Sequence, residues 1–296
     1  MKQPAVALAL SLVLTSALVG AQGAPATEVY LAPLTITATG VTVGTPVNIS
    51  NNPGYDNQPS FMPDSSGVLF TSNRDGKQND IYRWDIAASK LVQLTRTAEN
   101  EYSPLVATDG TSFVCVHGTE QSLFRYDLDG GNPRLAYQHG SEQIGYHVWI
   151  TSTEAAMFIL GRSGAPNSLQ VIDTKTGASQ TIAQNIGRSL LLRPGRNSVS
   201  FVTKVTPQSS AIKQFDVTTH AVTTIVADTL KSSEDLTWLP DGNRLVMGQG
   251  SKLSLWTDGL GWSDLSDLLA FGVTKVTRLA ASRDGKWLAI VGEPAK

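Results

Sequence analysis

The sequence is poor in the residues that most often staple a fold or carry chemistry. It has one cysteine, Cys115, in 296 residues, so no disulfide can form within the chain. Cys115 sits in the string Ser112-Phe113-Val114-Cys115-Val116, where a buried thiol behaves as a small hydrophobe, and no redox role is expected. Only four histidines occur, His117, His139, His147 and His220, and none forms a close pair such as H-x-H or H-E-x-x-H. Charged residues make up 16% of the chain and its net charge is −2. That balance gives no basic footprint for nucleic acid and no polybasic stretch for anionic lipid. No G-x-G-x-x-G cradle joins a strand to a helix. The nearest string to a G-x-S-x-G nucleophile elbow, Gly161-Arg162-Ser163-Gly164-Ala165, departs from that pattern. Asp127-Leu128-Asp129-Gly130 lacks the further spaced acids of a calcium loop and reads as a hairpin turn.

Long apolar runs are also missing, except at the start. Met1-Lys2 supplies one positive charge, residues 5–19 form an apolar run of 15, and Gly20-Ala21-Gln22-Gly23-Ala24 supplies small residues for cleavage. This is the pattern of a secretory signal peptide, and the run is short against the roughly 20 residues that span a bilayer. The expected organisation is a signal peptide at residues 1–23 and a single domain over 24–296, ordered over about 28–293, with no membrane segment after cleavage.

What the chain has in abundance is short β-rich strings between turn residues, and they repeat. Residues 58–95 contain the turn Pro63-Asp64, the string Val68-Leu69-Phe70-Thr71-Ser72, the turn Arg74-Asp75-Gly76, the string Asp80-Ile81-Tyr82-Arg83-Trp84-Asp85, and finally Leu91-Val92-Gln93-Leu94-Thr95. That is a meander of four short strands. Comparable units follow, the third of them degenerate. Asp64 and Asp109 are 45 residues apart, Pro194 and Pro240 are 46 apart, and Asp241 and Asp284 are 43 apart. Four strands per period of about 40–50 residues is the signature of a β-propeller. The one stretch with any helical character, residues 262–271, reads as a short helical or irregular insertion in the fifth unit. The sixth unit ends at residue 296 after two strands, and two strands make no stable sheet. The N-terminal strings Glu28-Val29-Tyr30-Leu31 and residues 41–49 are the expected missing strands. The fold class is therefore all-β: a six-bladed β-propeller of four-stranded antiparallel blades, the last closed by N-terminal strands.

These residues resemble the TolB-like propeller repeat, also called a WD40-like or PD40 repeat. The carriers are Pro59-Ser60-Phe61-Met62-Pro63-Asp64, Phe70-Thr71-Ser72-Asn73-Arg74-Asp75-Gly76, Asp80-Ile81-Tyr82, Tyr126-Asp127-Leu128-Asp129-Gly130-Gly131 and Trp238-Leu239-Pro240-Asp241-Gly242. The resemblance runs from about residue 28 to 293 and is strongest in units one, two and five. It implies six blades and a periplasmic or cell-envelope setting. TolB itself carries an α/β domain ahead of its propeller, and the few dozen residues before the first full repeat here leave no room for one, which places a Tol–Pal role in question.

Aligning the repeats puts the residues before each first strand at one mouth of the central channel. They are Asp56 and Asn57, Glu101 and Tyr102, Tyr146 and His147, Arg188 and Ser189, Glu234 and Asp235, and Thr277 and Arg278. Such a ring of acids, arginines, amides and phenols suits a peptide, a protein loop or a sugar. The aromatics Phe61, Trp149, Trp238, Tyr82, Phe124 and Phe215 recur at matching positions and are expected to pack blade against blade. The expected function is that of a non-catalytic, periplasmic or secreted, monomeric scaffold that holds a protein or peptide partner, with no catalytic residue, metal or cofactor. The alternative is a metal-assisted polysaccharide lyase or hydrolase, such as some TolB-like relatives are, with His147 joined by Glu101, Glu234 or Asp235 at the mouth.

Overall fold

The computed structural model describes residues 25–74 and 76–295. The expected signal peptide at residues 1–23 lies outside the described residues, as does Asp75 of the first Arg-Asp-Gly turn. Six antiparallel sheets form the ring. Blades 1 to 5 are consecutive in sequence, and their innermost strands are Asp56–Phe61, Glu101–Val106, Ile144–Trp149, Ile186–Leu192 and Leu236–Trp238. Each is followed outward by three more strands in chain order. The second strands, such as Gly67–Ser72 and Glu154–Ile159, are buried almost throughout. A strand sandwiched between two neighbouring blades has no solvent face, so these segments read as unbroken apolar runs, without alternation. The outermost strands face water and are polar, as in Ser179–Gln184.

Blade 6 is assembled from both ends of the chain. Its order from the channel outward is Val273–Ala281, Trp287–Pro294, Glu28–Ile36 and Val41–Val43. Glu28–Ile36 pairs antiparallel with Trp287–Pro294 from Glu28↔Gly292 to Pro33↔Trp287. The third strand is longer than the expected 28–31. The expected 41–49 strand divides into two short pieces, Val41–Val43 and Val47–Asn48, both paired with Glu28–Ile36. The stretch at 262–271 corrects the reading of an insertion: Gly261–Asp267 is the outer strand of blade 5, with Trp262 opposite Trp256 and Asp267 opposite Lys252. Only Leu269–Phe271 forms a turn of 3-10 helix. The outer position explains the weak signal, because an edge strand needs few apolar residues.

Between each pair of adjacent blades lies one apolar cluster. Blades 6 and 1 meet through Val29, Leu31, Ile49, Val68, Phe70 and Val291, and blades 5 and 6 through Tyr30, Leu34, Val246, Leu279 and Leu288. Cys115 is wholly buried with Phe113, Ile81 and Leu94 between blades 1 and 2, and burial pushes its thiol up, away from the reactive thiolate. The recurrent aromatics serve these seams. Trp149 packs between blades 2 and 3 with the Arg125 guanidinium 5.7 Å from its ring centre. Trp238 packs between blades 4 and 5, with Arg193 4.6 Å away and its indole N–H donating to Ser200 Oγ at 2.7 Å.

The turns joining first to second strands carry the repeated Asp. Asp64, Asp109, Asp241 and Asp284 each accept a backbone N–H two residues on, at 2.8–3.1 Å, which is the local bonding that favours Asp in turns. Gly242 has φ +66°, and a Cβ there would stand 2.1 Å from the Pro194 carbonyl oxygen of the preceding blade. Its own carbonyl accepts from Arg193 Nε at 2.7 Å. Among the described residues no helix is long and apolar enough to cross a membrane.

Closure of the ring through the N-terminal strand yields a test. Val29 is fully buried in the seam between blades 6 and 1. Val29→Asp places a carboxylate there without a partner and is expected to remove at least about 3 kcal/mol of stability. Thermal melting should then show one cooperative transition at a temperature lower by about 6 °C or more. Loss of residues 28–50 should leave the chain insoluble. Unchanged melting in either variant contradicts closure by these strands.

Candidate functional site

The first strands enter the channel at the face where the links between blades and the hairpins between second and third strands also lie. Strict alternation would send every second residue to the channel. It fails here, because the inner strands carry bulges near this mouth, between Asn57 and Ser60, Tyr102 and Leu105, Ile144 and Tyr146, Ile186 and Leu190, and Val276 and Arg278. Gln58 and Ser103 adopt positive φ of 57° and 53° in two of them. The bulges re-aim the side chains, as such irregularities do.

Of the twelve sequence-derived residues, six meet at the mouth and four turn into the wall, while Ser189 borders the space below and Thr277 offers its carbonyl to Arg188 and Arg278. Tyr102, Tyr146, Arg188 and Glu234 line a cavity of about 420 Å³, and Asp235 joins Arg188 to Arg278 in one charged cluster beside it. Arg188 Nε donates to Asp235 Oδ1 at 2.9 Å and Nη2 to Oδ2 at 2.5 Å. Arg278 Nη1 donates to the same Oδ1 at 2.9 Å. Arg278 also crosses the channel: its Nη2 donates to Tyr146 Oη at 2.6 Å, so blade 6 is bonded to blade 3 on the opposite side of the ring. Burial opposes the charge on Arg188, but its bonds to Asp235 outweigh this and hold it protonated. Glu234 accepts the Arg188 backbone N–H at 3.0 Å and lies 3.6 Å from Lys204 Nζ. Gly187 makes this possible, since a Cβ there would come within 2.2 Å of Glu234 Oε2.

The other four hold the wall together. Asp56 is fully buried and accepts from Asn52 Nδ2 at 2.9 Å; burial pushes its carboxyl up to about 6 against hydrogen bonds that favour the anion. Asn57 is buried, with Oδ1 accepting the Gln58 N–H at 2.8 Å. Glu101 is fully buried and accepts from Thr97 Oγ1, Thr95 Oγ1 at 3.0 Å and Tyr126 Oη at 3.3 Å, with His117 Nε2 3.5 Å away. Burial, reinforced by neighbouring Asp80, raises it to about 7 despite the Thr hydroxyls. His147 is 3% exposed and edge-on to Trp149. Burial drives it down to about 4, so its ring is neutral, and neither nitrogen makes a well-formed hydrogen bond, the nearby Ser103 backbone opposing the shift only in part. Among the described residues, no three His, Cys, Asp or Glu side chains are grouped so as to hold a metal.

Several residues at the mouth escaped the sequence reading. Tyr55 and Gln58 flank the chosen pair of blade 1, one position to either side, and Gln121, Asn167 and Lys204 come from hairpins between second and third strands. Gln58 lies within the bulge, and Tyr55 immediately precedes the strand. The hairpins were legible only on recognising that they share the face with the strand entries. Below the mouth the channel narrows to a waist of about 110 Å³, where Pro59, Pro104, Leu105, Leu190, Leu236 and Leu279 meet Arg188, Arg278, His147 and Ser103. It opens again at the far end as a cavity of about 270 Å³ lined by Phe61, Val106, Trp149 and Leu192.

Two outcomes follow from these electrostatics. Glu101 keeps, when folded, a proton that a free glutamate loses near 4.5. Its contribution to stability is therefore fully present below about pH 4.5 and is lost as pH rises through about 7, and Asp56 acts in the same direction. Glu101→Gln should flatten the fall in melting temperature over that interval, whereas a wild type whose melting rises with pH there contradicts the assignment. Asp235→Ala leaves two guanidinium groups facing each other and should remove about 3 kcal/mol of stability, read by denaturant melts; a change below about 0.5 kcal/mol rejects the shared-acid arrangement.

No family model matches the sequence, and no curated protein matches it. Solved structures do. A chain described as TolB from Agrobacterium tumefaciens aligns with a TM-score of 0.68 at 16% identity, over 90% of this chain and 98% of that one. TolB from Acinetobacter baumannii aligns with a TM-score of 0.58 at 13% identity, over 90% of this chain, which spans 64% of the length of that one. An oligogalacturonate lyase in complex with manganese aligns with a TM-score of 0.56 at 19% identity, over 89% of this chain and 78% of that one. At these identities the likeness is one of fold, and the fold of this chain is a TolB-like six-bladed β-propeller.

Proposed function

We propose that this chain is an exported binding protein that holds a protein or peptide partner at the propeller mouth, in the periplasm or outside the cell. The observation that carries the reading is the mouth cavity itself, about 420 Å³ walled by Tyr55, Tyr102 and Tyr146 beside Arg188. Tyrosine and arginine dominate the energetic centres of protein interfaces, because they bring large area, a polar tip and little conformational freedom to lose. The cavity is rigidly framed, since Arg188, Asp235, Arg278 and Tyr146 fasten four blades to one another. A pre-formed site loses little entropy on binding. The TolB-like fold and the signal-like N-terminal sequence support an envelope setting, and the chain is taken to act as a monomer without cofactor.

The alternative, metal-assisted lyase or hydrolase chemistry on a polysaccharide, has weaker support. Its candidate base, His147, is buried and neutral, and Glu101 is engaged by hydroxyls within the wall. Asp235 is committed to two arginines and Glu234 to a backbone N–H and a lysine.

Affinity capture from envelope extract separates these readings. Wild type should retain a discrete partner whose recovery falls at least about tenfold with Tyr102→Ala and with Lys204→Glu. Equal recovery by all three proteins removes the mouth as the binding surface. Breakdown of an acidic polysaccharide by purified protein, abolished in His147→Ala, transfers the assignment to the alternative.

A further inference from the structure

Resting on the mouth as the partner-binding surface, we propose that what the mouth recognises is a carboxylate of the bound peptide, taken by Arg188. Arg188 is held on one edge only. Nε and Nη2 are fixed by the two oxygens of Asp235, with the Thr277 carbonyl 3.4 Å from Nη2, while Nη1 makes no bond to any described residue. The side chain is 36% exposed and lines the cavity. A guanidinium carries five N–H donors in a rigid fork, so orientation by Asp235 leaves a free donor group already aimed. Asp235 is thus a positioning residue, and Arg188 the contact.

The phenols point to the same ligand. Tyr102 Oη accepts from Asn79 Nδ2 at 2.8 Å, and Tyr146 Oη accepts from Arg278 Nη2 at 2.6 Å. Each oxygen is therefore already used as an acceptor, and each phenolic hydrogen remains to be donated. Burial raises the Tyr102 and Tyr55 hydroxyls, which keeps those hydrogens in place at neutral pH. These phenolic hydrogens lie beside Arg188 Nη1, with Gln121 Oε1 the one acceptor on the described wall that is buried without a partner. Clustered donors suit a group that only accepts, and an ionised carboxylate is the acceptor-only group of peptides. Charge agrees: the three cations Arg188, Arg278 and Lys204 face two carboxylates, Glu234 and Asp235, leaving one positive charge in a partly desolvated site. The waist of about 110 Å³ directly below, lined by Pro59, Pro104 and several leucines as well as by Arg188 and Arg278, has room for one aliphatic side chain, which favours a peptide with an apolar residue beside its carboxylate over a sugar acid.

The test begins with peptides selected from a random displayed library on the intact chain. The tightest is then synthesised as matched acid and amide forms, Asp or Glu against Asn or Gln and free against amidated C-terminus. Titration calorimetry should show the acid binding at least about 10-fold more tightly than its amide, with the difference shrinking as salt rises. In Arg188→Gln, whose folding is checked by melting, acid and amide should bind within about 3-fold of each other. If that variant does not fold, the acid–amide ratio on wild type decides. Peptides weakened by Tyr102→Ala but indifferent to acid or amide overturn the carboxylate and leave the mouth as the binding surface. Peptides indifferent to Tyr102→Ala overturn both.

Discussion

The antiparallel pairing of Glu28–Ile36 with Trp287–Pro294 is the contact on which the rest of the molecule depends. A propeller blade exposes apolar residues on both faces and is stable only between two neighbours. Five blades are made of continuous chain, but the ring becomes a ring only when residues more than 250 positions apart lie side by side. The contact also completes two interblade clusters at once, with Val29 and Leu31 facing blade 1 and Tyr30 and Leu34 facing blade 5. Buried Glu28 extends the seam, accepting the Asn52 N–H at 3.1 Å while Asn52 donates to Asp56. The mouth inherits this dependence, because Arg278 comes from blade 6 and its partners Asp235 and Tyr146 from blades 5 and 3.

Along the axis the channel changes character. Its mouth is charged and phenolic, its waist adds prolines and leucines to the two arginines, and its far end is aromatic and aliphatic with Asp109 and Arg283 beside it. This follows from the position of each residue in its inner strand. Entry residues precede or share the bulges, where polar side chains find partners on adjacent blades, and the later residues of the same strands, prolines and leucines among them, fill the narrowing centre. Under the proposed reading, the entrance supplies the polar contacts and the waist admits a single apolar group.

The architecture was legible because its cause is periodic. Asp64, Asp109, Asp241 and Asp284 each close the same turn in their own repeat, and the N-terminal strings supply the strands that complete the last sheet. The outer strand Gly261–Asp267 was less legible, because solvent on one side relaxes its composition until Trp262 and Leu265 resemble a helical fragment. The mouth was legible as a neighbourhood more than as a list. Tyr102, Tyr146, Arg188, Glu234, Asp235 and Arg278 converge, but a bulge in each of five inner strands shifts which neighbour faces the axis. Gln58 therefore faces the channel while Asp56 and Asn57 do not, and His147, almost wholly buried, borders the waist. No periodicity in the sequence records a bulge.

The Arg278–Tyr146 hydrogen bond acts as a chord across the ring. Contacts between neighbouring blades resist shear and opening at a single seam, but a chord fixes the diameter, and so limits ovalisation of the whole circle. Because the chord ends on a phenol that also borders the cavity, an occupant that draws on Tyr146 pulls at the same time on the blade built from the two ends of the chain. The mouth and the closing blade thus share one hydrogen bond.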